Sequence, residues 1–187
     1  MNVGYPEEPD TAIGPVIDRS AYERIREYVE LGKREAVLAF QGSVPETNGF
    51  FIPPTVFKEV PPNARIAQEE IFGPVLSVIQ ARDLDAALEI ANGTAYALTG
   101  GFFSRSPAHI ERVKNEFQVG NLYVNRGITG AIVARHPFGG FKMSGSGTKA
   151  GGRDYLLNFV FPRVVTENQM RRGFSADDEV SGTPLSG

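Results

Sequence analysis

Two carboxylates stand side by side in the stretch Glu69-Glu70-Ile71-Phe72-Gly73-Pro74-Val75. Adjacent residues cannot face the same way on a strand or a helix, so the pair cannot converge on one atom. The plain reading leaves one carboxylate solvated and ties the other into a cap or salt bridge. An ionised carboxylate is also a natural bidentate acceptor for a diol. A second candidate is the turn Thr129-Gly130-Ala131, followed by Phe138. Consecutive backbone N–H groups in a glycine turn can fix a carboxylate without reacting with it, and Gly130 would let a ligand approach the backbone. On these residues alone, a surface turn with Phe138 in the core is the better account.

Other constellations fall away on spacing. Gly139-Gly140 and Gly145-x-Gly147, near Lys142 and Lys149, suggest a phosphate loop. A Walker loop needs a glycine, four residues, then Gly-Lys-Ser/Thr, and Gly140 leads instead to Gly145-Ser146. The dinucleotide pattern Gly-x-Gly-x-x-Gly ends here on Ala150, so these glycines read as turn residues. His109 and His136 are the two histidines, and neither has a partner at helical or hairpin spacing. No His/Asp/Glu cluster has metal-ligand spacing. The sequence has no cysteine, hence no thiol nucleophile and no thiolate metal site.

The elements that would position these residues alternate between helix and short apolar strand. Asp18 or Ser20 caps a helix striped by Tyr22, Ile25, Tyr28 and Val29, ending near Gly32. Ala36 to Phe40 reads as a buried strand. Phe50 to Phe57 is extended, with prolines that deny it a central place in a ladder. Val75 to Ile79 is a strand, and a helix capped at Asp83 turns Leu84, Ala87, Leu88 and Ala91 inward. Phe102-Phe103 closes the next strand, Ser106 caps a helix with Pro107 at its first position, and Leu122 to Val124 is a strand again. Tyr155 to Val165 reads as a long apolar strand. The alternation predicts an α/β fold with a mostly parallel open sheet flanked by helices. Between Arg126 and Arg153 periodicity is lost and glycine abounds, and a loop that long in a compact domain is usually functional. The tail from residue 169 to 187 is polar and is expected to be disordered.

The 187 residues suit about one domain. A net charge of −3 and a pI near 5.5 leave no electrostatic footprint for nucleic acid. No polybasic stretch addresses an anionic membrane, no apolar run approaches the ~20 residues of a membrane span, and the first residues lack a signal-peptide core. A cytoplasmic protein acting on a small molecule is the expectation.

Two segments carry a family resemblance: Glu69 to Val75, and Asn125 to Gly147 around His136-Pro137-Phe138-Gly139-Gly140-Phe141-Lys142-Met143-Ser144-Gly145. From about residue 3 to residue 174 the sequence resembles the C-terminal part of an aldehyde dehydrogenase. Asn125-Arg126-Gly127-Ile128-Thr129-Gly130-Ala131 makes it most similar to the 1-pyrroline-5-carboxylate (L-glutamate γ-semialdehyde) dehydrogenase subgroup. Tyr96 to Ser104, Thr166-Glu167-Asn168 and Arg171 to Phe174 agree with that.

The resemblance implies NAD-dependent oxidation of an aldehyde to an acid by a cysteine thiolate, with water activated by a glutamate. It gives Glu70 the nicotinamide ribose and Phe72 the nicotinamide pocket. It favours the anchor reading of Gly130 and Ala131, with Phe138 on the substrate's aliphatic linker. The nucleophile, the general base and the dinucleotide-binding fold would precede residue 1, so no catalytic residue is assigned and a truncated chain is expected. Residues 1–154 would then be part of the catalytic domain, 155–168 an oligomerisation strand joining like subunits, and 169–187 a tail. Two other readings stand beside this one: a non-catalytic assembly module, and a fragment of an aldehyde dehydrogenase with another substrate.

Overall fold

The computed structural model describes residues 1–46 and 48–167. Strands β1 (Asn2–Val3) and β2 (Thr11–Ile13) form a short parallel pair. Helix α1 (Arg19–Glu35) starts at Asp18, whose carboxylate accepts a 2.7 Å bond from the Ala21 N–H and so satisfies an orphan donor. The helix buries Ile25, Val29 and Gly32 and runs on past Gly32, because nothing breaks it before Glu35.

Strand β3 (Val37–Gln41) pairs antiparallel with β4 (Thr55–Lys58), which pairs parallel with β5 (Val75–Ser77). The one-turn helix α2 (Arg65–Gln68) lies in the β4–β5 crossover. The core gathers here, from Ile25, Val29, Ile52, Phe57, Val60, Ile66 and Ile71. Helix α3 (Leu84–Asn92), capped by Asp83 onto the Ala86 N–H at 2.8 Å, turns Leu88 inward. Next come β6 (Tyr96–Ala97), β7 (Thr99–Phe102), α4 (Pro107–Glu116) and β8 (Asn121–Val124). Ser106 caps α4 with Pro107 in its first turn. Strands β7 and β8 are parallel, joined through α4, as a parallel pair requires a crossover. The short β9 (Phe141–Lys142) returns antiparallel to β6.

The α/β class is observed, and four details depart from the sequence reading. Instead of one mostly parallel sheet there are four small ones with mixed pairings among the described residues, where the strands are only two to five residues long. Strand β3 is exposed throughout rather than buried, since β4 is its single neighbour. Strand β4 is central rather than peripheral. Pro53 and Pro54 precede it, so the ladder begins at Thr55, whose N–H reaches the Pro74 carbonyl at 2.9 Å.

The fourth departure is the conformation of the C-terminal segment expected as a strand. Arg153–Phe159 forms a 3-10 helix, and no strand occurs between Tyr155 and Glu167. A strand needs an edge to complete its hydrogen bonds. Here the segment pairs with no strand among the described residues: 153–159 coil into the 3-10 helix and 160–167 take no regular structure. Residues 1–155 form one compact unit and the chain from Leu156 a second. The tail expected at 169–187 lies outside the described residues.

Candidate functional site

The paired glutamates divide their work. Glu69 leaves α2 in extended conformation and accepts two 2.8 Å bonds from the Arg65 guanidinium, Nε to Oε1 and Nη2 to Oε2. The Tyr28 hydroxyl donates to Oε2 at 2.5 Å. These hydrogen bonds, Arg65 first and Tyr28 second, hold the Glu69 carboxyl down to about 2. Glu70 is exposed and has no hydrogen bond or ion pair among the described residues. Ile71 is buried, and its carbonyl accepts from Arg24 Nη1 at 2.5 Å. Phe72 is 79 % exposed and sits at φ +54, an outlier for an aromatic residue. The chain therefore ties Glu69 and Ile71 down and leaves Glu70 and Phe72 open.

The glycine-rich loop is built by close backbone packing. A Cβ on Gly120 would lie 1.9 Å from the Gly139 carbonyl oxygen, and one on Gly140 would lie 2.4 Å from Ser144 Cβ. Asn121 holds this stretch with both side-chain atoms: Nδ2 donates to the Pro137 carbonyl at 2.9 Å and Oδ1 accepts from the Gly139 N–H at 3.1 Å. The lysines serve the same structure. Lys142 donates to the Asn92 and Thr94 carbonyls at 2.6 and 3.0 Å, closing the C-terminal end of α3, where a cation suits the dipole. Lys149 reaches the Gly139 carbonyl at 2.5 Å and lies 4.4 Å from the Phe141 ring centroid. Burial pushes the Lys149 ammonium below its usual range.

The turn that follows β8 is open. Asn125, at φ +55, bonds both the N–H and the carbonyl of Ser104, at 2.8 and 2.9 Å. Arg126 stacks 5.2 Å over Tyr123 and donates to the Thr129 carbonyl at 3.2 Å. Gly130 (φ +102) and Ala131 are exposed, and neither N–H has an acceptor among the described residues. The Arg126 guanidinium lies 3.3 Å from where a Gly130 Cβ would stand, so a cation adjoins two open donors. That arrangement suits an anion. Phe138 is 38 % exposed, so its ring is not in the core, while its backbone bridges to Ala150.

These candidates fall in two places. Glu70 and Phe72 lead into β5, while Gly130 and Ala131 follow β8, on a different sheet. What they offer is binding: a diol acceptor beside an apolar ring, and anion donors beside a cation. Sequence reasoning missed Tyr28, Arg65 and Arg126. The i,i+4 spacing of Arg65 and Glu69 was a usable signal. Tyr28, 41 residues from Glu69, offered none. Among the described residues no group of three or more His, Asp or Glu is placed to hold a metal, and no helix is long and apolar enough to cross a membrane.

The α/β chain thus presents an open carboxylate and ring before β5, and an open glycine turn after β8. The sequence model of the aldehyde dehydrogenase family matches residues 1–165, and the chain belongs to that family. It is 57 % identical over 167 residues to 1-pyrroline-5-carboxylate dehydrogenase from Geobacillus thermodenitrificans, a match covering 89 % of this chain and 32 % of that protein. A crystal structure of 1-pyrroline-5-carboxylate dehydrogenase from Thermus with bound NAD superposes with a TM-score of 0.80. Its identity is 54 %, and the match covers 84 % of this chain and 30 % of that one. Betaine aldehyde dehydrogenase from Staphylococcus aureus, in complex with NAD+, gives a TM-score of 0.77 at 32 % identity, over 84 % of this chain and 32 % of that one. The chain thus spans about a third of the length of the relatives it matches.

Proposed function

We propose that these residues serve an NAD-dependent dehydrogenase that oxidises L-glutamate γ-semialdehyde, in equilibrium with 1-pyrroline-5-carboxylate, to glutamate in cytoplasmic proline degradation. The observation that carries the reading is the unpartnered Glu70 carboxylate beside the exposed Phe72 ring, on a backbone fixed at Glu69 and Ile71. Residues of this chemistry fit a nicotinamide riboside: a carboxylate accepts from both ribose hydroxyls, and a ring face lies against a flat heterocycle. NAD, when bound, supplies the hydride acceptor. Glu70 and Phe72 orient it, and the reacting thiolate comes from outside a sequence that has no cysteine.

Gly130 and Ala131 hold the α-carboxylate end of the substrate through their open N–H groups, with Arg126 adding charge, and Phe138 lies along the aliphatic linker. Charge-assisted bonds contribute about 1.5–3 kcal/mol each, enough to reject an aldehyde lacking the carboxylate by an order of magnitude or more. The apolar segment from Tyr155 to Val165, exposed in the single chain, pairs like subunits in the assembled enzyme. The test compares glutamate semialdehyde with butyraldehyde in the full-length enzyme. A kcat/KM at least tenfold in favour of the semialdehyde is expected from one such bond, whereas equal values refute the anchor. Glu70→Gln should impair hydride transfer more than aldehyde affinity. An unchanged turnover and NAD affinity in that variant would remove Glu70 from the site.

A further inference from the structure

The segment from Glu69 to Gly73 has two sides. One side meets α1 at every other residue. Glu69 accepts from Tyr28, the Ile71 carbonyl accepts from Arg24, and a Cβ on Gly73 would lie 2.7 Å from Ile25 Cδ1. The other side carries Glu70 and Phe72, which touch solvent. Arg24, Tyr28, Leu31 and Glu35 recur at i, i+4, i+7 and i+11, so they line one half-buried stripe of α1.

The last of that stripe reaches the base of α2. The Glu35 carboxylate accepts from the Arg65 and Ile66 N–H groups at 3.3 and 3.2 Å, supplying the cap that Ala64 lacks. Arg65, in turn, stacks 5.8 Å over the Tyr28 ring while it grips Glu69. The turn that carries Glu69, and the segment after it, are therefore both fastened to a single helix. A sparsely populated backbone conformation such as that of Phe72 persists only where the surroundings over-determine it.

We propose that Arg24 and Tyr28 of α1 are positioning residues that fix the direction in which Glu70 and Phe72 face the nicotinamide end of the cofactor. This rests on the reading of Glu70 as the ribose acceptor. Arg24 acts on the Ile71 carbonyl, between the two presented residues, and Tyr28 acts on Glu69, just before them. Both act through the backbone and side chain of the segment that carries Glu70 and Phe72.

Kinetics of the full-length enzyme separate this role from a merely structural one. Arg24→Met should raise the KM for NAD about three- to tenfold, the factor one net hydrogen bond is worth. The KM for aldehyde and the melting temperature should stay near those of the parent. Arg24→Lys, which can still donate to the Ile71 carbonyl, should recover most of the loss, and Tyr28→Phe should move the same constant in the same direction. If Arg24→Met fails to fold, Tyr28→Phe removes a single hydroxyl and carries the same test. An unchanged KM for NAD in these variants, while Glu70→Gln raises it, overturns the positioning role and leaves Glu70 in place. A silent Glu70→Gln overturns the cofactor reading and this proposal with it.

Discussion

At the residue scale, Glu69 offers a pH test of the clamp. Its carboxyl is depressed from 4.5 to about 2, by Arg65 first and then by the Tyr28 hydroxyl. A depressed carboxyl contributes its stabilisation in full above the unfolded value and loses it as pH falls through the folded one. The clamp should thus remain intact as pH falls below 4.5 and open only as it approaches about 2. A carboxyl-carbon NMR titration should place Glu69 well below the ordinary value of 4.5, and Arg65→Gln should return it toward that value; a midpoint near 4.5 for the parent would contradict the geometry. Phe72 gives a second test. Its ring is mostly exposed and its backbone is left-handed, a conformation costing about 1–3 kcal/mol for a non-glycine residue. Phe72→Gly should therefore keep or raise thermal stability while weakening NAD handling, and a drop of several degrees would show that the ring packs. The sequence showed that Glu69 and Glu70 must differ, since neighbours cannot point alike. Which one was free was half legible: Arg65 stands four residues before Glu69, whereas the second partner, Tyr28, lies 41 residues away.

The elements that were legible in sequence are those with local signals. Asp18, Asp83 and Ser106 each cap the helix they precede, and a cap-to-alanine change should cost about 1 kcal/mol by denaturant unfolding. What escaped depends on neighbours. Strand β3 has the same apolar run whether one strand or two flank it, so its exposure could not be read. The prolines before β4 were legible, but not that the ladder begins one residue after them. Gly32 shows how packing outranks local preference. Alanine in a helix interior gains up to about 1 kcal/mol over glycine. Yet a Cβ there would lie 2.5 Å from Phe57 Cζ, on a ring with no exposed surface, and overpacking of that kind costs about 1–3 kcal/mol. Gly32→Ala should lower the melting temperature, and a gain would mean that Phe57 has room to move.

For the whole molecule, the exposed apolar residues matter most. Leu156, Leu157, Phe159, Val160, Phe161, Val164 and Val165 are all more than half exposed, and Val37, Leu38 and Phe40 of β3 add a second apolar surface. Contiguous apolar surface and an unpaired strand edge drive association. Light scattering of the purified chain should therefore show oligomers that grow with concentration, and a sharp monomer across a wide range would contradict it. The apolar run from Tyr155 to Val165 was legible, but not its conformation, because whether such a run is a strand depends on the edge it meets and not on its own residues. The contact of Gly120 with Gly139 and Gly140 has a different reach. In a saturation mutagenesis screen read out by growth, Gly120 should look as intolerant as Glu70, because both substitutions silence the enzyme. Separating the soluble fraction from the turnover of what is soluble would tell them apart: Gly120 variants should vanish from the lysate, while Glu70 variants accumulate as folded protein that turns over slowly.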